Sequence, residues 1–178
     1  MSNGVTNGQE KVLLTGVSGF IGLHCAKQLI ETGFKVRGTV RSHEKQMQVE
    51  HVMTTHNIDA ESLEFTLLDL TTEAGWEAAM VGCDYVMHVA SPFWIANPKN
   101  EAEMMAPAIE GTLRVLRAAQ KAKVKRIILT SSIVSMMSSI RRGVFTADDW
   151  TDVTYPNLST YIKSCLLYTS PSPRDLWI

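Results

Sequence analysis

The sequence has no excess of either charge: 17 lysines and arginines stand against 18 aspartates and glutamates, a formal net charge of −1. That balance removes the electrostatic reason to expect nucleic acid or an anionic membrane as a partner. No apolar run is long enough to span a bilayer. Residues 1–10 are polar and lack the apolar stretch of a secretory signal; they read as a disordered leader on a cytoplasmic protein. Cysteine is scarce. Cys25, Cys83 and Cys165 have no metal-ligand spacing, which argues against a disulfide framework or a zinc site and predicts reduced thiols and no bound metal. No internal repeat is present.

What is present is ordinary globular material. The 178 residues are 45% hydrophobic, enough for one domain with a real core. Strand and helix patterns alternate along it. Strands are expected at 11–15, 35–40, 63–68, 85–90 and 126–129, with helices at 20–31, 43–56, 74–80 and 101–121. Ile21, Cys25 and Leu29, at i, i+4 and i+8, predict the inward face of the first helix, with Thr32-Gly33 closing it. Ile109, Leu113 and Leu116 mark the inward face of the long helix; Pro107 either kinks it or marks its first turn. That helix can serve a dimer or simply pack on the sheet, so the oligomeric state stays open. The repeated β-α order predicts an α/β fold, a doubly wound parallel sheet ordered 3-2-1-4-5 with right-handed crossovers.

The richest stretch is Thr15-Gly16-Val17-Ser18-Gly19-Phe20-Ile21-Gly22, between the first strand and the first helix. Strand, glycine turn and helix together make a dinucleotide site: glycines let the backbone approach a pyrophosphate, and the helix start offers N–H groups and a positive dipole end. Gly16, Ser18, Gly19, Phe20, Ile21 and Gly22 are therefore the candidate phosphate-binding residues. In a doubly wound sheet the ligand lies at the carboxyl ends of the strands. Arg41, Asp69, Val89-Ala90-Ser91 and Ser131-Ser132 occupy the other strand ends. The second strand ends Gly38-Thr39-Val40-Arg41, without the acid that bonds the ribose in an NAD site. Arg41, with Lys45 behind it, suits a 2′-phosphate, so NADP(H) is expected ahead of NAD(H); otherwise both are ordinary surface cations. Asp69 and Leu70 are expected to flank the adenine, unless Asp69 serves as a helix N-cap. His88 reads as a packed core histidine.

The G-x-x-G-x-x-G spacing resembles the extended short-chain dehydrogenase/reductase family, whose members have a Rossmann fold. Asp84-Tyr85-Val86-Met87-His88-Val89-Ala90-Ser91-Pro92-Phe93, Pro107-Ala108-Ile109-Glu110-Gly111-Thr112, Arg126-Ile127-Ile128-Leu129-Thr130-Ser131-Ser132 and Asp148-Asp149-Trp150 narrow the resemblance. They are similar to motifs of the dihydroflavonol reductase and cinnamoyl-CoA reductase group, over residues 11–164. The resemblance implies NADP-dependent reduction of a small-molecule aldehyde or ketone by hydride transfer. It implies catalytic roles for Ser132, with Ser131 the near alternative, and for Tyr161, which would donate a proton to the developing alkoxide. A strand-ending serine that merely caps a turn is the plainer reading of Ser132. Tyr155, before Pro156, fits poorly. Trp94 either shapes a substrate pocket or covers the core.

The family pattern requires lysine four residues after the tyrosine, and Cys165 stands there. Lys163 lies two residues on, on the far side of a helix, and cannot replace it. From Cys165 to Asp175 the chain loses helical periodicity and resembles the translation of a sequencing-library transposase adapter, TGT CTC TTA TAC ACA TCT and onward. Residues 165–178 are thus expected to be a non-native tail, against a genuine divergent C-terminus. Family members continue into further strands and a substrate-binding region. Without them the fifth strand would be an exposed edge, and the chain as written is expected to fold poorly and turn over substrate negligibly. Two other functions compete: a sugar-nucleotide epimerase or dehydratase, which Arg41 argues against, and a non-catalytic nucleotide-binding module.

Overall fold

The computed structural model describes residues 10–92, 98–137, 143–146 and 148–169. Phe93 and Trp94, the leader residues 1–9 and the tail residues 170–178 lie outside the described residues. The chain divides into two compact units, Met1–Ala90 with Arg114–Ile128, and Ser91–Leu113 with Leu129–Ile178.

The elements follow in order: β1 (Lys11–Thr15), α1 (Phe20–Glu31), β2 (Lys35–Val40), α2 (His43–Thr55), a 3₁₀ turn (Ala60–Ser62), β3 (Leu63–Leu67), α3 (Trp76–Met80), β4 (Tyr85–His88), α4 (Ala102–Ala122), β5 (Arg126–Leu129), α5 (Val134–Met137) and α6 (Thr160–Thr169). The five strands form one sheet in the order β3-β2-β1-β4-β5, as the β-α alternation predicts. β1 pairs in parallel with β2 and with β4, and β2 with β3. β4 stops at His88, two residues short of its expected end, because the next two N–H groups turn to a side chain rather than to a strand (below).

In the first unit the sheet is packed on both faces. Leu14, Val17, Val36 and Val40 meet Ala26 of α1 and Val49 and Met53 of α2. Leu13 and Val86 meet Trp76, Ala79 and Met80 of α3 and Val115, Ala118 and Ala119 of α4. Strands buried on both faces read as near-continuous apolar runs, which is why Val12-Leu13-Leu14 shows no alternation.

Two inward stripes differ from those expected. On α1, Ile21 is 54% exposed and the buried positions are Gly22 and Ala26, with Leu23, Cys25, Leu29 and Ile30 packed beside them. On α4 the buried positions are Met104, Ala108, Gly111, Thr112, Val115, Ala118 and Ala119, while Ile109, Leu113 and Leu116 are half-buried. In both helices small residues hold the closest approach and large ones flank it, so a pattern of large side chains points one step off. Pro107 lies well inside α4, past the first turn.

The helix–strand approach is closest at the start of α1. A Cβ on Gly22 would strike the Gly16 carbonyl oxygen and lie 2.9 Å from Val17 Cα. Gly16 itself has φ +71°, and a Cβ there would come within 3.0 Å of Ala90 Cα. Gly19, with φ −82°, caps α1, and a Cβ there would meet nothing closer than 3.4 Å.

In the second unit the first half of α4 buries Met104 and Ala108. Thr151 ties the loop before α6 to α5: its N–H donates to the Ser135 carbonyl at 2.8 Å and its hydroxyl to the Val134 carbonyl at 2.7 Å. α6 buries Ser164, Cys165 and Leu166. The helix runs to Thr169, so the loss of helical pattern expected from Cys165 onward is corrected: Leu166 and Leu167, residues of good helix propensity, help extend it before the first proline.

Gly22→Ala is expected to lower unfolding stability by about 3 kcal/mol, the upper range for overpacking against unyielding backbone. Gly19→Ala should cost less, about 0.5–1 kcal/mol, the loss expected when alanine replaces glycine at a helix N-cap. Urea unfolding followed by circular dichroism checks both.

Candidate active site

The carboxyl ends of the parallel strands β1 to β4 place four groups of candidate residues on one edge of the first unit. After β1 the chain makes a tight turn: the Gly19 N–H donates to the Gly16 carbonyl at 3.0 Å and the Leu23 N–H to the Gly19 carbonyl at 2.9 Å. Val17 is buried, Ser18 is half-buried, and Gly19, Phe20 and Ile21 are exposed, Phe20 by 80%. The first-turn N–H groups of α1 have no acceptor within the helix, and the exposed Gly19 leaves the approach to them open. A pyrophosphate fits this cradle: a side chain at Gly16 or Gly22 has no room, and the helix start supplies donors and a favourable dipole.

Two threonines that the sequence reading passed over hold this turn. Thr39, buried near the end of β2, accepts from the Gly16 N–H at 3.0 Å through its hydroxyl, and its carbonyl accepts from the Val17 N–H at 3.3 Å. Thr15 Oγ1 accepts from the N–H groups of Val89 and Ala90, 3.0 Å each, and lies 2.7 Å from His88 Nδ1. Their only mark in the sequence is a polar residue next to apolar strand positions, which is too common to single out. His88 is 1% exposed, and burial pushes its pKa down to about 4.

Arg41 follows β2 directly and is exposed; Ser42 then caps α2, its hydroxyl accepting from the Lys45 N–H. Lys45 Nζ donates to Gln48 Oε1 at 2.9 Å along the helix. After β3, Asp69 Oδ1 accepts from the Thr71 N–H at 2.8 Å and the Thr71 hydroxyl at 2.6 Å. Asp69 therefore closes a local turn. The N-cap of α3 is Gly75, which corrects the helix-capping alternative for Asp69. Burial raises the Asp69 pKa, but the Thr71 bonds and the Arg41 charge outweigh it and leave the carboxyl below its ordinary value. Leu70 packs partly against the core and its carbonyl accepts from Arg114 Nη1 at 2.7 Å. Val89 packs against the α1 face of the sheet.

Ser91, Ser131, Ser132 and Tyr161 belong to the second unit. There the Tyr161 hydroxyl hydrogen-bonds both Ser132 and Cys165, so helix α6 brings together the two residues expected to act jointly. Burial raises the Tyr161 pKa first, the Cys165 bond adds to it, and the Ser132 bond opposes it. Lys163 points elsewhere: its Nζ bonds Glu101 Oε1 at 2.9 Å, an oxygen that also accepts from Thr160. The two-residue offset has the consequence expected of helix geometry.

A parallel sheet with a glycine turn at the start of its first helix defines a dinucleotide-binding α/β protein. The chain belongs to the NAD dependent epimerase/dehydratase family, whose model matches residues 12–164. It is 35% identical over 164 residues to an uncharacterized oxidoreductase of Schizosaccharomyces pombe, covering 88% of this chain and 48% of that protein. It is 35% identical over 152 residues to an anthocyanidin reductase of Vitis vinifera, covering 83% and 44%. The fold is similar to that of yeast methylglyoxal/isovaleraldehyde reductase Gre2, solved with NADPH, at a TM-score of 0.76 and 21% identity over 90% of this chain and 51% of that one. The chain spans about half the length of these proteins.

Two measurements test this geometry. Cys165→Lys, placing a cation one helical turn from the phenol, is expected to lower the Tyr161 pKa, read from the pH dependence of the Tyr161 ring carbon shifts. For His88 the folded pKa of about 4 lies below the ordinary 6.5, so the unfolded chain takes up a proton first. Stability from this residue is full above pH 6.5 and is lost as pH falls toward 4, by about 3 kcal/mol in all. Urea unfolding at pH 7 and pH 4.5 should show a smaller difference for His88→Asn than for the unaltered protein.

Proposed function

We propose that the chain is the nucleotide-binding part of an NADP-dependent reductase that converts an aldehyde or ketone to an alcohol. The observation that carries the reading is the Tyr161 hydroxyl bonded to Ser132, a pair suited to a carbonyl oxygen. Ser132 donates to that oxygen and orients it; Tyr161 gives its proton to the oxygen as negative charge develops there. NADPH, when bound, supplies the hydride. Gly16, Ser18, Gly19, Phe20, Ile21 and Gly22 would hold its pyrophosphate, and Arg41, backed by Lys45, its 2′-phosphate. Asp69 and Leu70 would border the adenine, with Val89, Ala90 and Ser91 toward the nicotinamide. The protein would work in the cytoplasm.

Cys165 sets the level of activity. A thiol supplies no positive charge beside Tyr161, so proton transfer at neutral pH loses its driving group, and turnover by this chain is negligible. The same observation favours a second reading, a module that binds the nucleotide without chemistry. Arg41, in place of an acid, weighs against a sugar-nucleotide epimerase or dehydratase.

Fluorescence titration with NADPH and NADH, followed by a panel of aldehydes and ketones, tests the proposal. NADPH is expected to bind the more tightly. Arg41→Ala should weaken NADPH about tenfold or more, the scale of a lost charge-assisted bond, and leave NADH within about twofold. Equal loss for both nucleotides, or tighter binding of NADH by the unaltered protein, rejects the NADP assignment.

A further inference from the structure

The buried histidine of β4 has no part in the chemistry proposed above, and its surroundings constrain it closely. A threonine hydroxyl has two lone pairs and one proton. Thr15 Oγ1 receives two N–H groups, from Val89 and Ala90, at 3.0 Å each. Both acceptor sites are then filled. Its proton has one direction left, toward His88 Nδ1 at 2.7 Å. Nδ1 must therefore be the bare, accepting nitrogen, and the ring proton sits on Nε2. Thr15 and His88 are both fully buried, 0% and 1% exposed, so water cannot replace either partner.

The bonded groups lead to the glycine turn. Val89 and Ala90 are the first residues beyond β4, and Ala90 is the wall that a side chain on Gly16 would strike. Thr15 immediately precedes Gly16. One hydroxyl thus fixes the chain on both sides of this contact, and it is oriented only while an acceptor faces it. The geometry points to His88 as a positioning residue: as a neutral Nε2–H tautomer it orients the Thr15 hydroxyl, which holds the Val89–Ala90 backbone against the phosphate-binding turn. This role in nucleotide affinity rests on the glycine turn being the nucleotide site proposed above; the tautomer and the hydrogen bonds do not.

The substitution that separates positioning from packing is His88→Asn. Its Oδ1 stands where Nδ1 stood and keeps the acceptor, whereas His88→Leu fills the space without one. In the unaltered protein at pH 7, a long-range proton–nitrogen correlation spectrum should show His88 Nδ1 unprotonated and Nε2 protonated, the signal being assigned by its loss in His88→Asn. Amide hydrogen exchange at Val89 and Ala90 should quicken about tenfold in His88→Leu and stay within about twofold in His88→Asn, the scale of one buried hydrogen bond. NADPH affinity should follow the same order. A proton found on Nδ1 overturns the inference without need of any variant. So does unchanged exchange in His88→Leu, or equal acceleration in both variants. Failure of the unaltered protein to bind NADPH would reject the nucleotide site while leaving the tautomer and exchange results to stand.

Discussion

The start of α1 is pressed against the end of β1 so closely that the Gly16 carbonyl occupies the space a side chain at Gly22 would need. Much of the first unit depends on this contact. It aims the axis of α1 and so brings Ala26, Leu23 and Leu29 onto Leu14, Val36 and Val40. It also leaves the first-turn N–H groups of α1 facing outward beside an exposed Gly19. A helix one ångström further out would bury the same apolar residues less well and would present a looser set of donors. Packing and binding capacity are here two results of one steric condition.

Polar groups keep that condition in place. The turn carries backbone N–H groups inside a folded core, and each needs a partner. Thr39 takes the Gly16 N–H and, through its carbonyl, the Val17 N–H; Thr15 takes those of Val89 and Ala90. Beyond the Val17–Thr39 backbone bond, the strand pairing at the carboxyl ends of β1, β2 and β4 is thereby finished by the Thr15 and Thr39 hydroxyls. β4 ends two residues before its apolar pattern does for this reason. Burial also favours the neutral form of His88, since a charged imidazolium there would be taken out of water.

In the second unit, helix geometry decides the chemistry. One turn of α6 sets Tyr161 over Cys165, and half a turn sends Lys163 to Glu101. Ser132 meets the tyrosine from the segment before α5. The result is a hydroxyl pair of the expected identity with a thiol in the place where the family pattern calls for a cation. Burial first, and the Cys165 bond after it, hold the Tyr161 phenol above its ordinary pKa.

Local pattern in the chain was enough for the order and type of the main elements, the strand order, the glycine turn, and the misfit at Cys165. These depend on periodicity, on glycine spacing and on the fixed 100° step of a helix, all of which are local. Lys35–Val40 and Arg126–Leu129 were legible to the residue because apolar runs there end at charges or turn residues. Tertiary structure alone decided which face of α1 and α4 turns inward, since small residues at a close approach carry no hydrophobic signal while exposed Ile21 carries a false one. It alone revealed the work of Thr15, Thr39 and His88, because a hydrogen bond between residues 73 positions apart has no trace in local pattern. It also decided where α3 begins: the helix starts only after Gly75, so the Asp69 carboxylate meets Thr71 two residues on instead of a helix end.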